Sequence, residues 1–147
     1  MSKKSKITVK HLLILIPVII ALVFFTKCSV NYIRAAFGTV SEKQAAEFLQ
    51  SYGWKVESEA LSVTEVIIPK EFSEVYERYN AIQKKQGYDL TKYCGETVTQ
   101  FTFKVKNFGD YDNAEGHVLT WGGRIIGGDI CSTELNGIMT GFDGKTS

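Results

Sequence analysis

His117 and Cys131 bracket the turn Gly122-Gly123, and a thiol beside an imidazole is the pair that nucleophilic cysteine chemistry uses. A working pair needs contact within about 3.2 Å, a third group to orient the base, and a cleft. Counting outward from the turn sets His117 opposite Gly128 and leaves Cys131 past the end of the ladder, so the expectation is an edge histidine and a buried cysteine. Asp110, Asp112, Asn113 and Glu115 invite a calcium reading. The EF-hand spacing fails, because Ala114 and Trp121 stand where oxygen ligands are required, and a solvated hairpin loop is the expectation. His11 and His117 are the two histidines of the chain, too few for a histidine-based zinc site. The Gly-Gly pairs at 122–123 and 127–128 precede no helix and make no phosphate loop. No catalytic residue, cofactor or metal is therefore expected.

Two further chemistries remain. Cys94 and Cys131 are candidates for a disulfide if they are exported, or else they are small buried hydrophobes. Among the many aromatics, Tyr88, Tyr93, Phe108 and Tyr111 fall in loops and are the candidate contact residues for a partner.

Location follows from the N-terminus. Lys3, Lys4, Lys6 and Lys10 precede an unbroken apolar run from Leu12 to Phe25, the charge order that keeps the first end cytoplasmic. Read as helix, that run reaches about 21 Å, short of a hydrocarbon core of roughly 30 Å. Lys10 and Lys27 can snorkel to opposite interfaces, and Val30, Tyr32 and Ile33 extend the apolar surface. Thr26-Lys27-Cys28 offers no small-residue cleavage pattern, and Lys27 before Cys28 disfavours a lipidated cysteine. An uncleaved anchor is the reading, with a cleaved secretory signal and a lipoprotein as alternatives. It divides the chain into a cytoplasmic tail over 1–11, a transmembrane anchor over 12–33, a linker over 34–40, an extracytoplasmic domain over 41–142 and a C-terminal tail over 143–147. The chain carries 17 basic and 16 acidic residues; setting the four leading lysines aside leaves 13 bases against 16 acids, so the body has no nucleic-acid footprint.

The elements that must position these residues read as α+β: an antiparallel β-meander with two helices packed on one face. Ser41 and Gln44 form a capping box for a helix with Ala45, Phe48, Leu49 and Tyr52 at helical spacing, stopped by Gly53. Alternation predicts strands at Trp54–Glu57 and Val63–Ile68, paired with each other. A second helix carries the stripe Phe72, Val75, Tyr76, Tyr79 and Ile82, with Glu74 and Arg78 paired and Gly87 as its stop. Strands follow at Thr97–Lys106, His117–Trp121 and Arg124–Cys131, and Gly127-Gly128 signals a bulge or a close backbone approach. Leu135, Ile138, Met139 and Phe142 are expected to fold back as an irregular plug.

The blocks Phe48-Leu-Gln-Ser-Tyr-Gly-Trp-Lys-Val, Ile68-Pro-Lys-Glu-Phe-Ser-Glu-Val-Tyr, Gln86-Gly-Tyr-Asp-Leu, Arg124-Ile-Ile-Gly-Gly-Asp-Ile-Cys-Ser and Leu135-Asn-Gly-Ile-Met-Thr-Gly-Phe resemble domain of unknown function 4830. The resemblance runs from about Gln44 to Phe142. It implies a Gram-positive protein with a membrane segment ahead of its domain, and it implies no activity. Cys94 departs from that family's pattern and Cys131 fits it, which weakens a family-wide disulfide. Gly123-Arg-Ile-Ile-Gly also resembles the closing hairpin of PepSY-type extracytoplasmic modules, an analogy of fold alone. Together these readings imply a membrane-anchored, non-enzymatic binding or accessory module for a protein, peptide or envelope component. The alternative is a small envelope hydrolase or thiol enzyme using Cys131, His117 or the loop carboxylates.

Overall fold

The computed structural model describes residues 38–145, so the anchor expected over 12–33 lies outside the described residues. Among those described, no helix is long and apolar enough to cross a membrane. The body is a small α+β domain. Helix α1 spans Glu42–Ser51, β1 Ser62–Ile67, α2 Glu74–Lys85, a 3-10 turn Leu90–Tyr93, β2 Thr97–Val105, β3 Ala114–Trp121, β4 Arg124–Ser132 and β5 Met139–Thr140. The five strands pair antiparallel in chain order, which leaves β1 and β5 as edges.

The local signals for α1 are realised. Ser41 Oγ accepts the Gln44 amide, Gln44 reaches back to the Ser41 amide at 2.9 Å, and Gly53 adopts φ +92°. Ala45, Ala46 and Leu49 are buried against Phe101, Phe103 and Val105 of β2, Val118 of β3 and Ile130 of β4. Phe142 completes this cluster edge-on to Phe48, so the C-terminal plug forms, with β5 as an added short strand. Leu135 takes no part and is 95 % exposed.

Three expectations are corrected. Trp54–Glu57 is not a strand, and β1 pairs with β2. The Trp54 indole donates to the Phe142 carbonyl at 2.7 Å, the Asn107 side chain accepts the Lys55 amide, and the Lys55 carbonyl accepts the Lys106 amide, a mixed set of bonds in place of a regular ladder. Next, the helices do not share a face. Residues of β2 three apart point to opposite sides, and the aromatics Phe72, Tyr76 and Tyr79 pack with Val98, Leu119 and Ile126, away from the α1 cluster. Finally, Val75 of the predicted stripe is 68 % exposed, while the polar Asn80 and Gln83 are the buried residues of α2. Their amides explain this: Asn80 Oδ1 accepts the Leu90 amide at 2.8 Å and Gln83 Oε1 accepts the Gly128 amide at 2.8 Å. The ends of α2 behave as read, with a Glu74–Arg78 pair at 3.6 Å and Gly87 at φ +87°.

Candidate functional site

The decisive local event is a bulge. Trp121 pairs with Arg124 and Thr120 with Ile125 beside the Gly122-Gly123 turn, but the register then shifts and Leu119 pairs with Gly127. Ile126 is the extra residue. Gly128 makes the bend feasible. Its φ is +148°, and a side chain there would meet the His117 carbonyl at 2.0 Å and the Phe142 ring at 2.7 Å. A one-residue shift in a ladder changes every partner beyond it. His117, expected opposite Gly128, therefore faces Asp129, and Glu115 faces Cys131. All four side chains stand on the α2 face of two neighbouring strands. His117 is also no edge residue, because β3 lies between β2 and β4.

His117 Nδ1 lies 3.1 Å from Asp129 Oδ1 and 3.9 Å from Cys131 Sγ, and Nε2 lies 3.5 Å from Glu115 Oε2. The second oxygen of Asp129, Oδ2, accepts the Tyr79 hydroxyl at 3.0 Å, which ties the cluster to α2. Asp129 is 2 % exposed. Burial alone would lower the His117 pKa. Hydrogen bonds to Asp129 and Cys131 and the Asp129 charge overcome that effect and push it up to about 10. Burial and then Asp129 push the Tyr79 phenol well above its ordinary value, so it stays a donor.

This arrangement holds a proton firmly on the imidazole and gathers nitrogen, oxygen and sulfur donors. The His117, Asp129 and Cys131 donor atoms all lie within 4.8 Å of one another. The expectation that two histidines preclude a ligand set is thereby corrected, since a mixed set needs only one. As a nucleophilic relay the geometry is poor. In such a relay the thiol and the orienting carboxylate use different ring nitrogens, whereas Cys131 and Asp129 both address Nδ1.

The other candidates are dispersed. Cys94 and Cys131 are both free thiols, Cys94 exposed and Cys131 half-buried beside His117, so the candidate disulfide is not formed. Phe108 is buried and stacks with Tyr111 at 5.6 Å, Tyr88 sits edge-on to Phe142, and Tyr93 packs on Trp121. These four aromatics hold loops onto the core, Phe108 buried and Tyr88, Tyr93 and Tyr111 half-buried. Asp110 and Asp112 are exposed, and Glu115 lies on β3 instead of in their loop. A hollow of about 240 Å³ beside Glu115 is also lined by Lys104 and Thr133. A cleft of about 410 Å³ between Tyr52, Lys85, Gln86 and Asp143 shares no residue with the cluster.

Asp129 and Tyr79 were missed by sequence reasoning. The signal for Asp129 was present in Gly127-Gly128, because a bulge there, carried through the register, brings Asp129 to His117. Tyr79 reads as one more aromatic of an apolar stripe.

Residues 48–130 match the model of the family described as a domain of unknown function, number 4830, and the chain belongs to that family. The match takes in Tyr79, Glu115, His117 and Asp129 and ends one residue before Cys131. No curated protein and no solved structure matches the chain.

Proposed function

We propose that this family member is a single-pass membrane protein whose α+β body lies outside the cell and binds an extended segment of a neighbouring membrane or envelope protein, without catalysis. The lysines before Leu12 and the apolar run to Phe25 support the anchor and its orientation. One observation supports binding above the others: among the described residues β1 is an edge strand with its outer side unpaired, and Val63 and Ile67 are 46 % and 70 % exposed. The Ile68 amide bonds to the Glu96 carbonyl just before β2, so by alternation the amides of Val63, Glu65 and Ile67 point away from the sheet. An added strand would take those donors and cover the two aliphatic side chains. Glu65, between them, favours a segment with a cation at the facing position.

Photo-crosslinkers at Val63 and Ile67 of the full chain in native membranes should give one discrete adduct, and the same probe at Leu135 should not. Glu65→Pro removes an outward amide while sparing the β2 ladder, and it should abolish the adduct with the circular dichroism spectrum unchanged. Equal labelling from all positions, or none, overturns the reading. Orientation is tested separately with an impermeant maleimide on intact cells. In a Cys28→Ser, Cys131→Ser background the exposed Cys94 should label from outside.

A thiol enzyme is the second reading, favoured by the approach of Cys131 to His117. Iodoacetamide should modify Cys131 no faster than the exposed Cys94, read by peptide mapping; fast alkylation selective for Cys131 would restore the enzymatic reading.

A further inference from the structure

The donor atoms around His117 converge more tightly than an ion pair requires. Asp129 and Glu115 already supply a carboxylate to each ring nitrogen, so the imidazolium needs nothing from Cys131. Yet the thiol points at the same Nδ1 that Asp129 addresses. Three chemically different donors facing one position is the pattern of ligands around a metal ion.

We propose that His117 Nδ1, Asp129 Oδ1 and Cys131 Sγ form a three-ligand site for a zinc-class transition-metal dication, with the fourth coordination position open; the ion takes the place of the Nδ1 proton and of the thiol proton, both of which leave to solvent. Zinc bonds of about 2.0–2.3 Å at tetrahedral angles set neighbouring ligands about 3.3–3.8 Å apart. The N–O and N–S separations of 3.1 and 3.9 Å sit beside that range, and the remaining edge is at most 4.8 Å. A side-chain rotation of Cys131, which is only half-buried, closes it. The mixed N, O and S set selects borderline ions over calcium or magnesium, which take oxygen alone.

The surroundings are those of a built site. Metal-bound histidines hand their other ring nitrogen to a carboxylate or carbonyl, and ligating carboxylates are themselves hydrogen-bonded. Glu115 stands at Nε2, and the Tyr79 hydroxyl donates to Asp129 Oδ2, leaving Oδ1 for the ion. The ligands come from paired strands, His117 opposite Asp129 and Cys131 two residues on, so the backbone ladder fixes their spacing.

The site stands independently of the β1 edge and of the anchor, so failure of the crosslinking experiment leaves it intact. The test uses the full chain, untagged, in detergent micelles with cobalt(II) as the spectroscopic probe. One equivalent should raise a thiolate-to-cobalt charge-transfer band with four-coordinate d–d absorption, and zinc should displace it. Cys131→Ser should remove the band, while a Cys28→Ser, Cys94→Ser double variant keeps it. Glu115→Gln and Tyr79→Phe should weaken cobalt binding about 10–100-fold with the band preserved. Absence of a band from the unaltered chain overturns the proposal whether or not any variant folds. So does a band that survives Cys131→Ser or vanishes with Cys94.

Discussion

On the α1 face of the sheet, Phe101, Phe103 and Val105 meet Val118, Ile130, Leu49 and Phe142, and the buried Thr140 opposite Ile130 spends its hydroxyl on backbone carbonyls. The same strands present to α2 a mixed surface, in which Val98, Leu119 and Ile126 give way along β3 and β4 to His117, Asp129 and Cys131. Apolar packing tolerates exchange of one hydrophobe for another of similar volume. A buried polar network must instead satisfy each member, since an unpaired buried donor or acceptor costs more than the bond contributes. The contrast divides labour: one face holds the fold, and the other holds groups whose positions matter chemically.

The largest effect that would test this division is on the apolar face. Phe103 is fully buried, and Phe103→Ala should cost about 3–5 kcal/mol in urea unfolding. A loss under about 1 kcal/mol would mean that the α1 face is not the main core. Gly128→Ala joins the two faces, because its new methyl collides with the His117 carbonyl and the Phe142 ring. A loss of about 3 kcal/mol is expected, at the top of the overpacking range, with displaced His117 NMR resonances. A variant of native stability would show the bulge to be dispensable.

On the polar face, Asn80→Ala leaves the Leu90 amide buried without its acceptor and should cost about 2 kcal/mol by the same measurement. The next effect appears as a slope. In the metal-free chain the folded pKa of His117 is raised from 6.5 to about 10, so its stabilisation is complete below pH 6.5 and is lost as pH rises toward 10. Melting temperature should fall through that window, and Asp129→Asn should flatten the fall; an unchanged slope would detach His117 from Asp129. The smallest change is Ser41→Ala at the cap of α1, about 1 kcal/mol, read from the urea midpoint. Since α1 serves the apolar face, this variant should leave the pH slope untouched.

Both helices were legible because their determinants are local: a capping box for α1, a charge order and an i,i+4 pair for α2, and glycine stops for each. The face that α2 buries was not. Its apolar stripe predicts Val75 inward, yet Asn80 and Gln83 turn inward because the Leu90 and Gly128 amides need acceptors there. Trp54–Glu57 alternates like a strand, but its partners are side chains of Asn107 and a carbonyl of Phe142, distant in the chain. The candidate site was half visible: His117 and Cys131 were singled out, and their separation was misjudged by one residue of register.

Alternation, caps and the Gly122-Gly123 turn depend on neighbours within a few positions, so the α+β class, the strands from β2 to β4 and the family blocks are properties of the sequence alone. The meeting of His117 with Asp129 and Cys131 is different in kind. It requires Ile126 to be extruded from the ladder while Gln83, from a helix 45 positions earlier, accepts the Gly128 amide and Phe142 closes over the bend. Only the assembled fold brings those contacts to bear, because each is made between segments that no local pattern connects.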